Sequence, residues 1–266
     1  MTSALSRRFT AAGRPLLVGY LPAGWPSHQR AVEAMLAMVD AGVDVVEVGL
    51  PYSDSLMDGP LIQTALTAAL AAGSTTAATL RTVEAVAATG APTVVMSSWN
   101  PVEQHGVAAF ARDLAAAGGS GLITPDLVPE EAGEWLAAAA EQGLDPIFLV
   151  APTSTDARIR RVAEVTSGFI YAASTMGVTG IRAATSQRAP ALVARVRGAT
   201  RTPVCVGLGV SDGEQAAEVA SYADGVIVGS ALVRVLGEQG VDGVQTLAAD
   251  LAAGVRRAAG TEPRRA

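Results

Sequence analysis

The chain has 266 residues, half of them hydrophobic and 17% charged, with a formal net charge of -6 and an isoelectric point near 5.0. That length can bury a sizeable core in one large domain, and the acidic balance argues against sequence-independent nucleic-acid binding, which needs a clustered basic surface. The single cysteine, Cys205, excludes an internal disulfide and suits a reducing cytoplasm, while all 19 basic residues are arginine, so no lysine amine is present for a Schiff-base aldolase or a pyridoxal-phosphate enzyme.

In chain order, Met1 to Ala12 carries Arg7 and Arg8 but no long apolar run, so neither a signal peptide nor a membrane span is expected. Short runs rich in Val, Ile and Leu follow at Leu16 to Leu21, Val43 to Leu50, Thr93 to Ser97 and Gly121 to Thr124. Four more stand at Ile147 to Ala151, Gly168 to Ala173, Pro203 to Gly207 and Gly225 to Val228. Each is too short for a helix and nearly continuous in apolar content, the pattern of a strand buried on both faces. Between them, helical spacing marks Gln29 to Ala41, Val107 to Ala117, Glu130 to Glu141, Asp156 to Val165, Pro190 to Val196 and Gly213 to Ser221. Pro26-Ser27, Pro129-Glu130, Pro190 and Ser211 with Glu214 read as helix starts, and Gly42, Gly118 and Gly143 as ends.

Eight alternating strand–helix units without a dividing linker predict an α/β fold, a (β/α)8 TIM barrel formed by residues 1–266 as a single domain. An N-terminal helical extension, a C-terminal helix and a short basic tail complete it. Spacing between strand starts widens to about 50 residues after the second strand and about 35 after the sixth. In a barrel such extra residues lie at the C-terminal face, where reacting groups gather. The loop holding Asp58 and the Gly177 to Gln187 segment are therefore candidate active-site loops.

Glu47 stands inside the apolar run Val45-Val46-Glu47-Val48, and Asp58 follows in a loop. A buried carboxyl costs several kcal/mol unless paired or neutralised, and burial raises its pKa toward the range useful for acid-base work near neutrality. A Glu reaching water at a strand end and an ordinary Asp-Gly turn are the plain alternatives. After the seventh and eighth strands, Gly207-Leu208-Gly209 and Gly229-Ser230 suit a phosphate cradle, where backbone and a helix N-terminus approach an anion. A turn glycine explains either motif alone equally well. His28 and His105 lack zinc-ligand spacing, and no metal site is expected.

These residues resemble the signature of the tryptophan synthase alpha subunit family: Glu47-Val48-Gly49-Leu50-Pro51-Tyr52-Ser53-Asp54, then Asp58-Gly59-Pro60-Leu61-Ile62-Gln63. The likeness continues in order through Asn100-Pro101, Pro125-Asp126-Leu127, Ala151-Pro152-Thr153-Ser154, Met176-Gly177-Val178-Thr179-Gly180, Val206-Gly207-Leu208-Gly209 and Gly225 to Ser230. The resemblance implies a lyase that cleaves indole-3-glycerol phosphate to indole and glyceraldehyde 3-phosphate without cofactor, in tryptophan biosynthesis. It implies Glu47 as principal acid-base group and Asp58 as acceptor of the indole N–H. Around the substrate it places Tyr20, Tyr171, Thr179, Gly180, Leu208, Gly209, Gly229 and Ser230. The implied setting is cytoplasmic, with a beta subunit in an alpha2-beta2 complex.

Ser55 and Met57 depart from the family's usual Pro and small residue, which weakens the expected coupling to a beta subunit. Ser98 replaces a frequent tyrosine and Thr175 a frequent arginine or leucine. A stand-alone indole-producing lyase, another phosphate-binding barrel isomerase or epimerase, and a silent regulatory partner of a beta-like subunit remain open on the sequence.

Overall fold

The computed structural model describes residues 3–173 and 188–258. Its elements begin α1 (Ala4–Ala12), β1 (Leu16–Pro22), α2 (His28–Asp40), β2 (Val45–Gly49), α3 (Pro60–Ala71), α4 (Thr76–Ala87) and β3 (Thr93–Met96). Next come α5 (Trp99–His105), α6 (Val107–Ala116), β4 (Gly121–Ile123), α7 (Gly133–Gln142), β5 (Asp145–Ile147), β6 (Leu149–Val150) and α8 (Asp156–Val165). The series ends with β7 (Ile170–Ala173), α9 (Arg188–Arg197), β8 (Val204–Gly207), α10 (Gly213–Ala220), β9 (Gly225–Val228) and α11 (Ser230–Ala258), which is broken at Gly240.

The strands form one all-parallel sheet in the order β5-β4-β3-β2-β1-β9-β8-β7-β6. Its two ends, β5 and β6, are consecutive in the chain with Phe148 alone between them, so the sheet curls into a nearly closed TIM barrel. The expected fifth strand is thus two short ones, and the seam falls inside it.

Strand parity sorts the side chains, because successive residues point to opposite faces. Leu16, Val18, Val45, Val94, Ile123, Ile147, Phe169, Cys205 and Ile227 fill the barrel interior, while Leu17, Val46, Val48, Val95, Val206 and Val226 join the helical outer layer. Leu5 of α1 is buried in the interior cluster, and Phe9 meets Phe169 at 6.1 Å between ring centroids. Helix α1 therefore stoppers the end of the barrel where the strands begin. Buried Asp44 anchors it, accepting hydrogen bonds from Arg8, from Arg14 at 2.7 and 2.9 Å, and from the Leu17 N–H at 2.9 Å.

Several helix boundaries follow local chemistry. Ser27 caps α2 by accepting from Arg30 N, and Gly42, Gly118 and Gly143 take positive φ at helix ends. Others differ from the sequence reading. The cap of α10 is Asp212, which accepts from Gln215 N, while Ser211 is instead held by the Gln215 side chain. Helix α7 starts at Gly133, after a turn over 129–131 takes up the Pro129-Glu130 signal. The long interval after β2 holds two helices, so its loop is confined to residues 50–59. Arg256 and Arg257 lie in the last turn of α11.

Candidate active site

The inward parity that places Val45 in the barrel interior also turns Glu47 inward, two residues nearer the strand's carboxyl end. Its residue is 1% exposed, and Oε2 has no hydrogen-bond partner among the described residues. Desolvation, then the nearby Asp58 carboxylate, push its pKa up to about 8. Asp58 reaches the same space from the loop after β2, and burial raises it to about 6.

The Asp58 loop is held from the helix that follows it. Gln63, in the first turns of α3, donates through Nε2 to Ser55 O at 3.1 Å and to Asp58 O at 2.9 Å, and Asp58 N donates to Ser55 O at 3.1 Å. Gln63 belongs to the quoted motif but carried no assigned role; its hint in the sequence is a polar residue four positions beyond the helix-opening Gly59-Pro60.

Both carboxyls line a cavity of about 350 Å³ at the carboxyl ends of the strands, within the usual range of a small-molecule site. Tyr20, Tyr171, Leu208, Gly209, Gly229 and Ser230 line it as well. Thr179 and Gly180, with the Gly177 to Gln187 segment, lie outside the described residues. Apolar walls come from residues the sequence reading left unassigned, among them Ile62, Met96, Pro125, Leu149 and Ile227. Two glycines make room for the phenols. A Cβ on Gly207 would lie 2.6 Å from the Tyr171 hydroxyl, and one on Gly49 would collide with the Tyr20 ring. Burial lifts both phenols well above their ordinary pKa, so they stay neutral near pH 7.

The two glycine turns are not equivalent as anion sites. Gly229 runs directly into α11, with Gly229 O accepting from Val233 N, so the first turn of that helix leaves backbone N–H groups at the cavity rim. At α10 two carboxylates already occupy this role, because Asp212 accepts from Gln215 N at 2.9 Å and Asp250 from Gly213 N at 2.6 Å. Gly209, with φ of 70°, serves instead as bare backbone in the wall. The histidines stand apart: His105 pairs with Asp113, and His28 lies on α2. Among the described residues no cluster of three or more His, Cys, Asp or Glu could hold a metal ion.

A family profile described as tryptophan synthase alpha chain matches residues 7–259. The chain belongs to the tryptophan synthase alpha chain family. It is 61% identical over 254 residues to a tryptophan synthase alpha chain of Acidothermus cellulolyticus, covering 94% of this chain and 95% of that protein. To one of Salinispora tropica it is 60% identical, covering 92% and 94%. A structure of Mycobacterium tuberculosis tryptophan synthase superposes with a TM-score of 0.92 at 55% identity, covering 96% of this chain and 99% of that one. As a member of this TIM-barrel family, the protein is a lyase of tryptophan biosynthesis that cleaves indole-3-glycerol phosphate to indole and glyceraldehyde 3-phosphate. Family membership implies a beta-subunit partner.

Proposed function

We propose that Glu47 and Asp58 carry the carbon–carbon cleavage, with the substrate's indole between Tyr20 and Tyr171 and its phosphate at the start of α11. The observation that carries this reading is a single cavity in which two carboxyls are pushed to different pKa values, about 8 and about 6. Two such groups can hold opposite protonation states at neutral pH and so divide the acid and charge-stabilising roles.

Between those values Glu47 is neutral and Asp58 is ionised. The Glu47 proton is delivered to ring carbon 3, which places positive charge on the ring, and Asp58 stabilises that charge through the indole N–H. The carboxylate left on Glu47 then takes the proton of the side-chain hydroxyl next to the scissile bond. As that oxygen becomes an aldehyde, the carbon–carbon bond breaks, and its electron pair returns to the ring to restore aromatic indole. Atoms and charge balance with Glu47 reprotonated, and no cofactor enters.

Gly229-Ser230 and the α11 N-terminus bind the phosphate, with Gly209 and Leu208 closing the wall and Thr179 and Gly180 contributing by family likeness. A beta subunit docks on the exposed tip of the Asp58 loop, where Leu56 is 84% and Met57 57% exposed, two large apolar side chains in water. Ser55 and Met57 retune that contact relative to the family pattern. No helix among the described residues is long and apolar enough to cross a membrane, and the single buried Cys205 agrees with a cytoplasmic setting. The test is indole release from purified protein: Glu47→Gln and Asp58→Asn fold normally and release none above background, and wild-type turnover by both would overturn the assignment.

A further inference from the structure

Beside the main cavity lies a second, smaller one of about 20 Å³. The two share Tyr20, Met57, Asp58, Met96 and Pro125 in their linings, which sets the smaller space directly against the larger as an annex beside it. The walls belonging to the annex alone are Leu50, Tyr52, Ser55, Leu66, Ser97 and Ser98. We propose that this annex admits one polar heavy atom on the indole edge beside the ring N–H, making Ser98 a specificity-determining residue for ring-hydroxylated substrate.

The inference deepens the reading that Asp58 accepts the indole N–H and rests on it for orientation. With the N–H at Asp58, carbon 7 is the benzo-ring position nearest to it, and Asp58 belongs to the lining common to both spaces. Size sets the limit. About 10–15 Å³ holds a single water-sized group, so the annex takes one atom such as a hydroxyl oxygen and excludes a larger branch. Chemistry favours a polar atom. Ser97 spends its hydroxyl hydrogen on Ser98 O at 2.7 Å and keeps lone pairs to accept a donor. Ser98 precedes α5 in the cap position, yet its side chain makes no capping hydrogen bond, so its hydroxyl is not committed to holding the helix. For the same reason, replacing it removes no cap.

The experiment compares kcat/KM for indole-3-glycerol phosphate with that for its 7-hydroxy and 4-hydroxy analogues, in wild type, Ser98→Ala and Ser98→Val. Wild type accepts the 7-hydroxy analogue within about threefold of the unsubstituted substrate, and Ser98→Val, whose extra methyl fills the annex, loses about tenfold or more on that analogue alone. Ser98→Ala keeps the room but not the hydroxyl and falls between the two. The 4-hydroxy analogue, substituted on the far edge, is insensitive to residue 98. Rejection of the 7-hydroxy analogue by wild type, or its equal acceptance by Ser98→Val, overturns the proposal. Calorimetric binding of 7-hydroxyindole against indole, with the three proteins matched in thermal unfolding, reads the annex without turnover. Turnover of the unsubstituted substrate separately reports on the catalytic reading.

Discussion

Glu47→Gln separates stability from chemistry in a way that depends on burial alone. A carboxyl held at about 8 in the fold, against an ordinary value of 4.5, means that the native state binds more protons than the unfolded chain between those pH values. Stability from this group is therefore complete below pH 4.5, falls by about 1.4 kcal/mol per pH unit as the pH rises, and levels off above 8. From pH 4.5 to 7 the loss is about 3 kcal/mol, or roughly 6 to 12 °C in Tm for a chain of this size. Glutamine carries no such dependence. Its buried amide meets the same lack of a partner as Glu47 Oε2, a cost of about 1–3 kcal/mol that does not vary with pH. The measurement is urea unfolding of both proteins at a series of pH values from 4.5 to 8, plotted as the difference between them. Wild type should lose ground steadily against the variant as the pH rises. Parallel stability curves across this range would refute the claim that Glu47 is buried and neutral, whatever the variant does to indole release.

The same two shifts predict a bell-shaped profile of kcat/KM, rising through about pH 6 as Asp58 ionises and falling through about pH 8 as Glu47 does; a flat profile from 5 to 9 would contradict the assigned roles. In Asp58→Asn, losing the charge that helps raise Glu47 should draw the upper edge of its stability window below pH 8, read from the same unfolding series. Leu56→Asp should leave unfolding stability within about 0.5 kcal/mol and turnover of the isolated chain unchanged, because the side chain is 84% exposed, yet weaken beta-subunit association about tenfold or more by titration calorimetry. Asp44→Ala should cost about 1–3 kcal/mol in chemical denaturation, since it leaves the buried Leu17 N–H without an acceptor and frees the partly exposed Arg8 and Arg14; no measurable loss would show that α1 is held by its apolar contacts alone.

Much of the architecture was legible because alternation of short apolar runs with helical spacing leaves few packings for a parallel sheet. Glu47 was conspicuous as a charge among valines, and Asp58 through the loop motif around it. The two glycine turns looked alike in sequence, since Gly-x-Gly and Gly-Ser both announce a turn; the carboxylates that occupy the start of α10 come from Asp212 and, across 37 residues, from Asp250. The annex was equally hidden, for its walls are drawn from β1, β3, α3 and the loops after β2, β3 and β4.

The amino-acid order by itself determined the barrel class, the acidic pair and the ban on amine chemistry, because local hydrophobic period and residue inventory are properties of the chain alone. It could not decide which of Val45, Val46, Glu47 and Val48 face inward, since a strand covered on both faces is apolar at every position. Closure of the sheet fixed that parity, sending Val45 and Glu47 to the interior and Val46 and Val48 to the helices. Only that choice removed the Glu47 carboxyl from water and set it, still protonated near neutral pH, in the cavity that Asp58 enters from its loop.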